Sequence, residues 1–127
     1  MIIKSGEQKR REDKVIVEEF KWDERSEESL QGEGNIFLTT QRLVMEREVE
    51  GKAITVFEFP LKEIDQVSLK GFISKVVLLR VTLDQISSKV KGIDFSSKKG
   101  FANLKIKVNN PKPYADEISF RSKKQES

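Results

Sequence analysis

Cysteine and histidine are absent from the 127 residues. Their absence excludes a disulfide framework, a thiol nucleophile, a Cys/His zinc site, a Ser-His-Asp triad and an imidazole general base. A carboxylate-only metal or acid/base site stays open. No apolar run approaches the roughly 20 residues that a membrane-spanning helix needs. Met1-Ile2-Ile3 gives way at once to Lys4 and Ser5, which is no signal-peptide core. There is no Asn-x-Ser/Thr sequon. The reading is of a cytoplasmic protein in a reducing compartment, with no cofactor.

What is present is charge in unusual amount, 35% of residues, beside 36% hydrophobic residues set in alternating runs. That length and apolar content support one modest core, and the alternation marks a folded chain. The net charge of +3 is small but unevenly spread. Residues 18–33 hold seven acids against Lys21 and Arg25, a balance of −5. Residues 61–112 hold eleven bases against Glu63, Asp65, Asp84 and Asp94, a balance of +7. If the fold separates those segments, one side of the molecule is basic and attracts lipid phosphates, nucleic acid or an acidic protein.

Residues 1–14 lack periodicity and read as a flexible leader in which Lys9-Arg10-Arg11 is a solvated basic cluster. Strands are expected over 15–22, 35–39, 42–49, 54–59, 65–70, 75–83 and 102–108. Glu50-Gly51-Lys52 is a hairpin signal, and 61–64 reads as a single turn. In the sixth strand Val77, Leu79, Val81 and Leu83 share a face, with Arg80 and Thr82 on the other. In the seventh Ala102, Leu104, Ile106 and Val108 point one way and Asn103, Lys105 and Lys107 the other. Residues 84–100, rich in Ser, Lys and Gly, form a long loop that Ile86, Val90, Ile93 and Phe95 anchor. The period then changes. Pro111 and Pro113 suit the first turn of a closing helix, Asp116 and Glu117 lie near its start, and Arg121, Lys123 and Lys124 lie near its end. Tyr114 and Ile118 face inward and Phe120 falls off that stripe. The fold class is mainly β: a seven-stranded bent antiparallel barrel or sandwich, capped by one C-terminal α-helix.

Gly34-Asn35-Ile36-Phe37-Leu38-Thr39-Thr40-Gln41-Arg42-Leu43-Val44 resembles the signature Gly-x-hydrophobic-x-Leu-Thr-x-x-Arg-Leu-hydrophobic of the PH-like superfamily, most of all its GRAM and GLUE branches. Phe59-Pro60-Leu61-Lys62-Glu63-Ile64-Asp65-Gln66-Val67 is similar to their Leu-x-x-Ile-x-x-Val turn. The resemblance covers residues 15–124, with 125–127 as a tail. It implies seven strands in two near-orthogonal sheets and a non-enzymatic module that recruits a larger protein to membranes, phosphoinositides or other proteins. The GLUE branch, found at the start of an ESCRT-II subunit, binds both phosphoinositide and ubiquitin, which implies a trafficking context and a peripheral membrane location. A folded unit preceded by a leader also suits a domain of a longer polypeptide or complex. Thr39-Thr40-Gln41 and Arg42 have a structural explanation, a tight connection with hydroxyls bonded to backbone, and are not placed in a site.

Two features carry the binding reading. Phe72 and Ile73, between Lys70-Gly71 and Ser74-Lys75, are unusual residues for a turn tip and form an amphipathic prong for a membrane or partner. The alternative is that they fold onto the core. Lys70, Lys75, Arg80, Lys89, Lys91, Lys98 and Lys99 form a basic set for lipid or phosphate. Rich in lysine, it predicts salt-sensitive attraction with little headgroup selectivity. Gly32-Glu33-Gly34 starts like a dinucleotide fingerprint but has Phe37 where the last glycine belongs and precedes a strand, so it is rejected. The carboxylate pairs Glu18/Glu19, Glu27/Glu28 and Asp116/Glu117 fall in no catalytic context. Nucleic-acid binding ranks lower: Phe95 and Phe101 flank Lys98 and Lys99, but there is no RNP-type motif. A homo-oligomerisation domain joined by a strand edge is the remaining alternative.

Overall fold

Alternation that buries Val15, Val17 and Phe20 makes the first strand long and amphipathic (β1, Lys9–Trp22). In the computed structural model, which describes residues 1–22, 25–71, 75–82, 89–92 and 100–126, this strand organises everything else. After it come β2 (Arg25–Ser26), a 3-10 turn at Glu28–Leu30, β3 (Gly32–Thr39), β4 (Arg42–Val49) and β5 (Lys52–Pro60). A second 3-10 turn, Leu61–Glu63, leads to β6 (Ile64–Lys70), β7 (Val76–Thr82), β8 (Lys89–Val90), β9 (Phe101–Val108) and the helix α1 (Pro111–Glu126).

The strands run antiparallel in one continuous sheet, ordered β6-β7-β9-β1-β3-β4-β5-β8, with β2 paired to the end of β1. The mainly β architecture with one closing helix is as expected. The ladder differs from a closed barrel in that β6 and β8 are its two ends. Curvature comes from β1, whose residues 9–17 pair with β3 while residues 15–22 pair with β9. A bulge on either side of that crossover lets one strand serve both halves. Both halves bury their inner faces in one cluster that includes Ile36, Leu43 and stacked Phe57 and Phe59 from one side and Leu79, Leu104 and Ile106 from the other. A further bulge in β5 explains why neighbours Val56 and Phe57 are both buried. The β4–β5 hairpin turns on Glu50 and Gly51, both at positive φ (53° and 79°), the primed geometry that matches strand twist.

Helix α1 packs against β6, β7 and the Leu61–Glu63 turn. Tyr114 and Ile118 are fully buried and Phe120 is exposed, as its stripe predicted. Asp116 and Glu117 lie beyond the first turn, where they form side-chain ion pairs: Lys112 reaches Asp116 at 3.2 Å, and Arg10 and Arg121 reach Glu117 at 2.7 and 3.1 Å.

The stretch expected to be a flexible leader is built into the fold. Residues 9–14 belong to β1, and residues 1–7 cross the outer face of β4 and β5. The cause is a buried ion cluster that sequence periodicity does not signal. Glu7 accepts from Arg42 Nε at 2.8 Å and from Thr39 Oγ1 at 2.5 Å, and Arg42 Nη1 donates to Glu58 at 2.8 Å. Arg42 also donates to the carbonyl of Ile2. Thr39 Oγ1 in turn accepts from the backbone N–H groups of Gln41 and Arg42, both at 3.0 Å. The signature residues Thr39 and Arg42 are thus structural, tying the β3–β4 turn to the N-terminal segment.

Candidate functional site

Because Val77, Leu79, Val81, Leu104, Ile106, Val15 and Val17 point inward, their neighbours make the outer face of β6, β7, β9 and the second half of β1. The register lines these neighbours up in rows. Lys70 pairs with Val76, whose neighbour Val77 pairs with Ile106, and Lys107, next to Ile106, pairs with Ile16. The next row runs Ser68, Leu78, Lys105, Glu19, and the one after it Gln66, Arg80, Asn103, Lys21. Adjacent strands stand about 4.8 Å apart, so Lys70 and Ile16 are roughly 14 Å apart across the sheet.

The face is basic but not uniformly so. The acidic half of β1 and the basic strand β9 are neighbours, so the fold does not separate these oppositely charged stretches. Lys21 hydrogen-bonds Glu19; this, with the charges of Lys21, Lys105 and Lys70, outweighs burial and holds the Glu19 carboxyl below its ordinary range. Arg80 lies over the ring of Phe101, 3.8 Å from its centroid, so this aromatic beside the long loop is already capped by a guanidinium.

Where β1 passes from one half-sheet to the other, the outer surface opens into a groove of 1240 Å³. Ile16, 39% exposed, is an apolar residue in its lining. Lys14, Lys75, Lys107 and Arg47 border it. Arg47 is structural: its guanidinium donates to the carbonyls of Glu33, Gln31 and Leu30 at 2.9, 3.2 and 3.4 Å. Asp13, also in the lining, accepts from Tyr114 Oη at 2.6 Å. Lys14, Lys75 and Lys107 have no hydrogen-bond or ion-pair partner among the described residues. They line the groove with Ile16, beside the carboxylates of Glu33 and Glu48, and Lys70 stands on the outer face of β6 beyond them; the four ammonium groups can attract anionic groups as point charges.

The structure places the sequence-predicted residues in separate groups. Lys70, Lys75 and Arg80 belong to this face. Lys89 and Lys91 accompany β8 at the opposite end of the ladder, where Lys89 pairs with Glu58 and the N–H of Lys91 donates to the Val56 carbonyl at 2.9 Å. Phe72, Ile73, Lys98 and Lys99 lie outside the described residues. Lys14, Lys105 and Lys107 were missed as site residues. The alternation over 102–108 had already put Lys105 and Lys107 on the polar side of their strand. Lys14 was hidden by the leader reading.

Among the described residues no helix is long and apolar enough to cross a membrane. Against solved structures, the chain is similar to one described as "Vps36 N-terminal PH domain": TM-score 0.61, 18% identity, covering 98% of this chain and 85% of that one. At that identity the likeness shows the fold, which is PH-like. No family model and no curated protein matches the sequence.

Proposed function

We propose that this chain is a non-catalytic PH-like recruitment module that docks on an anionic phospholipid surface through the outer face of β6, β7, β9 and β1. The carrying observation is that Lys14, Lys75 and Lys107 line one groove with exposed Ile16 and have no hydrogen-bond or ion-pair partner among the described residues, with Lys70 on the same outer face. Each lysine near an anionic leaflet contributes about 1 kcal/mol, so four supply about 4 kcal/mol at low salt. Lysine attracts without the bidentate geometry that would select one headgroup. Phe72 and Ile73, an apolar pair between Lys70 and Lys75 in sequence, add insertion to that attraction. The resemblance to GLUE-type domains supports a place in membrane trafficking, as the peripheral part of a larger protein.

A ubiquitin-like protein is the second candidate ligand, and the lipid reading is favoured by the face itself. A protein hot spot wants a large apolar or aromatic anchor, and Ile16 is the one exposed large aliphatic residue in the described part of the groove. The test is to titrate isotope-labelled protein with phosphatidylserine nanodiscs, phosphatidylcholine nanodiscs and ubiquitin, following backbone amides. Shifts at Lys14, Ile16, Lys70, Lys75 and Lys107 with the anionic discs alone, fading with salt, are expected. Equal response to both discs, or a response to ubiquitin alone, contradicts the reading.

A further inference from the structure

The basic triplet Lys9-Arg10-Arg11 has a use in the fold that the lysine face does not share. Between Lys9 and Arg11 the β1–β3 register slips by one residue, and Arg10 is the extra one. Two successive residues of a regular strand point to opposite faces. Here the bulge lets both reach the same carboxylate on α1: Arg10 Nε stands 2.7 Å and Arg11 Nε 3.6 Å from the two oxygens of Glu117. Arg121, one helical turn on, brings its Nε to 3.1 Å. Three guanidiniums from two elements thus converge on one carboxylate. The remaining acids nearby are engaged. Glu12 holds Lys9 at 2.6 Å, and Asp13 holds Tyr114 Oη.

The arginines that only build the fold look different. Arg42 places Nε, Nη1 and Nη2 on acceptors, and so does Arg47. Among the described residues only Nε of Arg10 and Nε of Arg121 in the triad hydrogen-bond, both to Glu117. The Nη groups of all three have no acceptor among the described residues. Arg11 Nε is buried without a hydrogen-bond partner, although its guanidinium lies 5.9 Å from the Tyr114 ring centroid. A buried charged donor left unmade is costly, and guanidiniums gathered at one place with uncommitted Nη groups suit the oxygens of a phosphate.

From this convergence we propose that Arg10, Arg11 and Arg121 form a binding site for a phosphate monoester, with Glu117 holding the guanidiniums in place when the ligand is absent. The site lies on the β1–α1 seam, away from the lysine face, and does not rest on the lipid-docking reading. Its ligand is recognised by bidentate geometry, so phosphate outcompetes chloride at equal ionic strength.

The test uses the whole chain and inorganic phosphate, with sodium chloride at matched ionic strength as control. Phosphate is expected to shift the side-chain Nε–H resonances of Arg10, Arg11 and Arg121 and to raise the melting temperature. Arg10→Ala, at an exposed strand position, should weaken phosphate binding about tenfold, the loss of one charge-assisted hydrogen bond. Glu117→Gln is the second variant. It removes the competing carboxylate, so phosphate should bind more tightly even though the unliganded protein melts lower. Equal effects of phosphate and chloride, or a phosphate response that survives Arg10→Ala combined with Arg121→Ala, overturns the proposal. A second arm compares vesicles carrying phosphatidylinositol 4-phosphate with phosphatidylserine vesicles of equal charge. Weakening by Arg10→Ala confined to the former identifies a headgroup as the phosphate source. A response to inorganic phosphate without that difference identifies a soluble phosphate ester.

Discussion

Replacing Glu7 by glutamine should remove a defined piece of the protein's acid sensitivity. Glu7 is 6% exposed. Burial alone would raise its pKa. Hydrogen bonds from Arg42, the Lys4 backbone N–H and Thr39, together with the Arg42 charge, outweigh burial and hold it at about 2 against an ordinary 4.5. A native pKa below the unfolded one means that the unfolded chain binds the proton first. Stability from this group is therefore complete above about 4.5 and is lost as pH falls towards 2. At 1.36 kcal/mol per pKa unit, the loss is about 3 kcal/mol. Urea unfolding of wild type and Glu7→Gln at steps between pH 5 and pH 2 isolates it. Other depressed carboxyls, Glu19 and Glu117, titrate in both proteins and cancel. The wild-type advantage over Glu7→Gln should shrink by about 3 kcal/mol across the window. Parallel curves would refute the claim that Glu7 is held ionised against Arg42.

Gly34→Ala should cost about 1–3 kcal/mol by chemical denaturation, because its new Cβ would stand 2.6 Å from the Glu46 carbonyl oxygen and 2.7 Å from Met45 Cε. Tyr114, the sole tyrosine, should remain un-ionised through pH 11 in absorbance at 295 nm, since burial and then the hydrogen bond and charge of Asp13 all push its pKa up. Tyr114→Phe should lose about 1.5–3 kcal/mol in the same denaturation assay, the worth of a hydrogen bond to a charged acceptor. Phe72→Asp should abolish pelleting with phosphatidylserine vesicles while leaving the melting temperature unchanged; a large drop in melting temperature would make Phe72 a core residue instead.

Much of the architecture was legible because it rests on period. The alternations at 77–81 and 102–108, the Glu50-Gly51 turn and the Tyr114–Ile118 spacing each express a local geometric rule, and each appears where that rule puts it. Bulges are not periodic. A one-residue slip at Arg10 and another near Glu18 leave no mark in the hydrophobic pattern, yet they allow β1 to join both halves. The N-terminal segment was misread for a related reason. It is held by Glu7 and Arg42, 35 residues apart, through a polar pair that no hydrophobic pattern reports. The basic set was legible as composition but not as a surface. Which lysines share a face depends on cross-strand register and on how the strands curve, and the fold gathers Lys107, Lys14 and Lys75 in one groove while sending Lys89 and Lys91 to the far edge.

Vesicle co-sedimentation of the triple variant Lys70→Glu/Lys75→Glu/Lys107→Glu tests the docking face most directly, because all three positions are exposed or on an outer strand face and the fold should tolerate them. With phosphatidylserine vesicles at low salt, wild type should pellet and the variant should bind at least about 100-fold more weakly, the loss of three lysine contributions. Unchanged binding by a variant that melts like wild type would contradict the assignment of this face to the membrane.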